Sequence, residues 1–108
     1  MPAAIDVKPS GWTEIRVLFD DGAYSVVAGT CCGEQCLGER WNGAGDDPGS
    51  PCEGTEPRWH RVPDFLAEPV LSGLLNELLQ RSDLAQREAF IERVLLELEH
   101  VKTRVAQI

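Results

Sequence analysis

The chain has 108 residues, a net charge of −8 and a hydrophobic content of 43 %. That length fits one domain with a modest core and leaves no room for a separate cofactor-binding domain. The acidity repels nucleic-acid phosphates and anionic lipid, so direct nucleic-acid or membrane-surface binding is disfavoured, while a basic protein partner is compatible.

Residues 1–11 read as a loose arm, with Pro2, Pro9 and Gly11 and no periodicity. Met1 to Asp6 lacks a basic start and an apolar run, and no stretch reaches the ~18 apolar residues of a membrane span. A cytoplasmic protein with reduced cysteines is therefore expected. Residues 13–19 alternate, placing Ile15, Val17 and Phe19 on one face and Glu14, Arg16 and Leu18 on the other. Asp20-Asp21-Gly22 signals a hairpin, because Asp-Gly supplies the positive φ of a tight primed turn. The return strand covers 23–30, with Tyr24, Val26 and Ala28 on one face. A second turn is expected at Gly33-Glu34-Gln35 and a third strand over 36–42. Residues 43–56 have the composition of a long loop, functional or mobile at that length, and 58–62 gives a fourth short strand.

The composition then changes. All four cysteines and all three tryptophans precede residue 60, and Gly73 is the single glycine after Pro69. Glu68 is placed to cap a helix beginning at Pro69, since proline is tolerated in a first helical turn. Val70, Leu71, Leu74, Leu75, Leu78 and Leu79 form its apolar stripe. Ser82-Asp83, with Gln86 three residues after Asp83, signals a second helix over roughly 83–106. Leu84, Ile91, Leu98 and Val105 recur every seven residues; Val94, Val101 and Ile108 fill the intermediate positions, and Arg87 interrupts that second series. The fold class is α+β: a single domain of 1–108, with a small antiparallel sheet of about four strands over 12–62 packed on two helices within 63–108.

The cysteines are the sharpest chemical candidate. Cys31-Cys32-x3-Cys36-x15-Cys52 offers four thiolates, and zinc favours four tetrahedral sulfurs. Cys32 and Cys36 flank a turn, but Cys52 stands alone in the loop. Adjacent Cys31 and Cys32 would project to opposite faces of a strand. A zinc site would therefore draw on Cys32, Cys36, Cys52 and His60, against the plainer reading of small buried or incidental thiols. The glycine-rich stretch 43–49 lacks the Lys-Ser/Thr of a phosphate cradle, and Asp46 and Asp47 would repel phosphate. No helix N-terminus follows a cysteine to activate it, and no carboxylate pair stands out as general acid and base. Trp41, Trp59 and Phe65 are candidate pocket residues, with core packing as the commoner fate of such aromatics.

Arg40-Trp41-Asn42-Gly43, the proline- and glycine-rich loop after it, Pro57-x-Trp59, and Val62-Pro63-Asp64-Phe65-Leu66 ahead of a leucine-rich helix carry a resemblance. Over about a third of the chain, this pattern resembles small uncharacterised proteins of bacterial mobile elements, of the integron gene cassette type. The resemblance implies an accessory protein and implies no activity, cofactor or site residue. The expected function is non-catalytic protein–protein interaction, with a homodimer formed through Ile91, Val94, Leu98, Val101, Val105 and Ile108. Two other readings stand beside it: a metal- or small-ligand-binding domain built on the cysteine-rich half, and an acidic inhibitor that mimics nucleic acid.

Overall fold

The computed structural model describes residues 2–106, and of 104–106 only the backbone. The chain is α+β. A four-stranded antiparallel sheet lies in the N-terminal half and two helices lie in the C-terminal half. It divides into two units, Met1–Val62 and Pro63–Ile108.

In the first unit the sheet order is β1-β2-β3-β6, formed by Trp12–Asp20 (β1), Tyr24–Cys31 (β2), Glu34–Trp41 (β3) and His60–Val62 (β6). Gly22, at φ +90°, turns β1 into β2. Asp20 Oδ1 accepts the Gly22 N–H at 2.9 Å, and Asp21 Oδ1 accepts those of Ala23 and Tyr24, both at 2.9 Å. Two aspartates therefore satisfy the turn amides while glycine supplies the left-handed conformation. Gly22→Val should lower stability by more than about 1 kcal/mol, because a β-branched residue resists that region. An unchanged urea midpoint would contradict it.

The alternation expected of β1 is broken twice. The register slips between Thr13 and Arg16, where Glu14 has φ +55°, and again between Val17 and Phe19. Each slip inserts an extra residue and re-aims the side chains beyond it. Val17 thus pairs with Val27 while Phe19 pairs with Val26, on the opposite face, and Leu18 and Phe19 are both buried. One face gathers Val27, Trp59, Ala4 and Val7, with Trp12, Ile15 and Val17 packed against them. The other carries Val26, Ala28, Leu37 and Val62, also buried. The arm, expected to be loose, is tied down: Ala4 N–H donates to Asp20 Oδ2 at 3.0 Å, and Trp59 Nε1–H donates to the Val7 carbonyl at 3.0 Å.

The second hairpin turns at Cys32-Gly33, one residue earlier than expected. Cys31 pairs with Glu34, and both central residues have positive φ, +55° and +80°. This is the geometry of a two-residue type I′ connection. Glu34 and Gln35, expected in the turn, belong to β3. The long loop contains a small hairpin of its own, Cys52–Glu53 (β4) against Glu56–Pro57 (β5), and a cis peptide at Ser50-Pro51.

In the second unit, a 3₁₀ turn at Asp64–Leu66 runs directly into α1, Ala67–Gln80, so the helix starts ahead of Pro69 and has no side-chain cap. The second helix, α2, spans Arg87–Ala106 and not 83–106. Ser82-Asp83 does not open it, because Gln86 adopts φ +63° just before the first helical residue. Arg87 explains its own interruption of the apolar pattern. Its Nε–H donates to the Leu78 carbonyl at 2.7 Å and its terminal nitrogen donates to that of Leu79 at 3.2 Å, capping the exposed carbonyls at the end of α1.

Candidate functional site

The type I′ turn changes the geometry of the cysteines. Cys32 is a turn residue, and its positive φ swings its side chain away from the face a strand would give it. Cys31 and Cys32, expected to point apart, have Sγ atoms 3.8 Å apart. Cys36 is buried, pairs with Gly29, and lies on the Cys31 face. Partial burial and hydrogen bonding with Cys32 push the Cys31 thiol up, against an opposing pull from Arg61. Burial pushes the Cys36 thiol up as well. All four cysteines are free.

The four expected zinc ligands are not brought together. Cys32 and Cys36 belong to the β2–β3 hairpin, and Cys52 is exposed on β4 opposite Pro57. His60 pairs with Glu39 across β3 and β6, its Nδ1 4.0 Å from Glu39 Oε2. That register puts His60 on the Val26 face, whereas Cys36 shares the Val27 face. Among the described residues no group of three or more His, Cys, Asp or Glu side chains is arranged to hold a metal ion.

The pocket aromatics are also separated. Trp41 is exposed and lies against Tyr24, with ring centroids 4.8 Å apart. Trp59 is buried in the Val27 cluster, on the opposite face of the sheet. Phe65, in the second unit, is 81 % exposed. The Tyr24 hydroxyl donates to Glu39 Oε1 at 3.0 Å, and burial together with that carboxylate pushes the phenol well up. At neutral pH it is a hydrogen-bond donor and not a nucleophile.

On α2 the buried stripe is Phe90, Val94, Glu97 and Val101. Val94 and Val101 from the expected seam are thus already covered within the chain. Ile91 and Leu98 are half-buried, Ile108 lies outside the described residues, and so does the Val105 side chain. Leu95, outside the expected set, is 50 % exposed. With Leu98, Glu99, Lys102 and Thr103 it lines an open groove of about 460 Å³. Ile91, Leu95 and Leu98 are spaced i, i+4, i+7 and share one helical stripe. Of the expected seam, Ile91 and Leu98 lie on this stripe, Val94 and Val101 do not, and Leu95 is not among the expected residues.

No known protein family, curated protein or solved structure matches this chain.

Proposed function

We propose that the protein is a non-catalytic accessory protein that self-associates through α2. The observation that carries this reading is the stripe Ile91, Leu95 and Leu98, open to solvent at Leu95 and set between charges of opposite sign. Glu88, Leu95 and Lys102 are spaced seven apart on that stripe, and both charged residues are exposed. A two-fold axis crossing two antiparallel copies of α2 at Leu95 would place Glu88 of each copy against Lys102 of the other. The pattern is self-complementary, as an isologous interface requires. The ion pairs would set register more than affinity, since exposed pairs contribute ~0–1 kcal/mol. Completing the burial of three apolar side chains on each copy is worth about 1 kcal/mol apiece, and the freedom lost on association offsets much of it, so the dimer is a weak one.

Light scattering on the wild type should therefore show a dimer at several hundred micromolar. Leu95→Glu would bring two carboxylates together at the axis and should give a monomer with helical circular dichroism retained. The surface position makes it a cleaner test than Leu98→Glu, which alters a half-buried residue. A wild-type protein that stays monomeric at that concentration rules the dimer out.

A further inference from the structure

The β2–β3 turn carries a side chain that its backbone does not favour. Type I′ turns prefer Asn, Asp or Gly at the first central position. Here that position is Cys32, at φ +55°. A left-handed conformation costs a residue with a Cβ about 1 kcal/mol or more. Cys32 is exposed, so core packing does not offset the cost. What the conformation does achieve is to bring its Sγ to 3.8 Å from that of Cys31.

That separation suits some partners and not others. A direct disulfide between adjacent residues must close across Cα atoms ~3.8 Å apart, below the ~4.4–6.8 Å that unstrained bridges span. A pyramidal trivalent centre bound to two sulfurs at ~2.3 Å with angles near ~95–100° sets them ~3.4–3.5 Å apart, which a small rotation of the exposed Cys32 side chain reaches from the 3.8 Å observed. The thiols are therefore spaced for chelation. Zinc would need further ligands, and among the described residues no trio of suitable side chains is arranged to supply them. A trivalent thiophilic centre is satisfied by two sulfurs and one retained oxygen or carbon substituent.

We propose that Cys31 and Cys32 form a vicinal dithiol site for a trivalent thiophilic metalloid, of the arsenic(III) or antimony(III) class. For an arsenous acid centre, each thiol condenses with one As–OH group. Two S–H and two As–O bonds break, two As–S bonds form, and two waters leave. The metalloid stays trivalent and no oxidant or reductant is needed. Cys36 lies beside Cys31, with the two thiols hydrogen-bonded, but it is buried, and Cys52 lies on another hairpin, so the chelate is assigned to the accessible pair.

The test uses the reduced full-length chain and phenylarsine oxide, which binds a dithiol with loss of one water. In the presence of excess monothiol, native mass spectrometry should show one phenylarsenic per chain. Differential alkylation should find two of the four thiols protected, those of Cys31 and Cys32. Cys32→Ser and Cys31→Ser should each weaken binding by about 100-fold or more, the loss expected when an intramolecular second bond is removed. Cys52→Ser should bind as the wild type does. The proposal is overturned by an adduct that survives Cys32→Ser, by protection of Cys36 or Cys52 in place of the vicinal pair, by no adduct on the wild type, or by stable retention of Zn2+ alone at this pair. Mapping by alkylation reports on Cys36 without a substitution in the core.

Discussion

Arg40→Met should lower unfolding stability by about 3 kcal/mol, even though it removes a buried charge that has no carboxylate partner among the described residues. Arg40 is 1 % exposed, at the end of β3 where the long loop departs. Its Nε–H donates to the Arg58 carbonyl at 3.1 Å, and one terminal nitrogen donates to the Pro48 carbonyl and, at 3.5 Å, to that of Pro51. One guanidinium thus gathers the loop's departure, middle and return. The other terminal nitrogen is buried without a partner, and burial holds the group below its ordinary pKa. Two effects oppose each other in the variant. Methionine keeps the packing of the stem and relieves a poorly solvated charge. It also takes the donor from the Arg58 and Pro48 carbonyls, while the Pro51 carbonyl keeps the Arg58 N–H at 3.0 Å, and hydrogen bonds to charged groups are worth ~1.5–3 kcal/mol each. The second effect prevails because two acceptors in the loop lose a charged donor at once. A lower urea midpoint with faster proteolysis within 43–57 is the expected result. An unchanged midpoint would mean that the loop holds its shape without Arg40.

Local chemistry was legible where one residue decides the outcome. Asp21-Gly22 marks the first turn because few other dipeptides supply both the positive φ and a carboxylate for the turn amides. The change of composition near residue 60 separates sheet from helices for the same reason, since cysteine, tryptophan and glycine suit strands and turns, and the leucine-rich remainder suits helices. What could not be read depended on partners distant in sequence. The slips in β1 are a matter of register with β2, and a shift of one residue moves every later side chain to the other face, as Phe19 illustrates. Ser82-Asp83 has the composition of a helix start, but Arg87 reaching back to the Leu78 and Leu79 carbonyls sets where α2 begins. Strand alternation divides Cys31 from Cys32 only as long as Cys32 is placed in a strand. Once the turn moves one residue earlier, the same two residues become neighbours. Of the candidate zinc ligands, Cys32 and Cys36 share a hairpin, while Cys52 and His60 stand on other strands because register, not spacing, distributes them.

Gly38→Val should be strongly destabilising, by about 3 kcal/mol, at a position where strand propensity alone predicts a gain of up to ~1 kcal/mol. Gly38 sits in the middle of β3, paired with Val27 on one side and Arg61 on the other. A Cβ there would lie 2.8 Å from Trp12 Cη2 and 2.9 Å from Trp59 Cβ. The two contacts differ in how they can yield. Trp12 is half-buried, and the outer edge of its ring can swing aside. Trp59 Cβ is fixed to the backbone immediately ahead of β6, and its indole N–H is held by the Val7 carbonyl at 3.0 Å. Displacing it moves the start of β6 or breaks that bond, and the arm residues Ala4 and Val7 lose their cover in either case. Gly38→Ala meets the same contacts with one methyl. Its lower unfolded-state entropy returns ~0.4–1 kcal/mol, so its net cost should be about 1 kcal/mol. The two variants should therefore rank glycine, alanine, valine in falling urea midpoint, with a red shift of tryptophan emission in the valine variant as Trp59 meets water. The reverse ranking, in which valine raises the midpoint, would mean that no indole lies over the centre of β3.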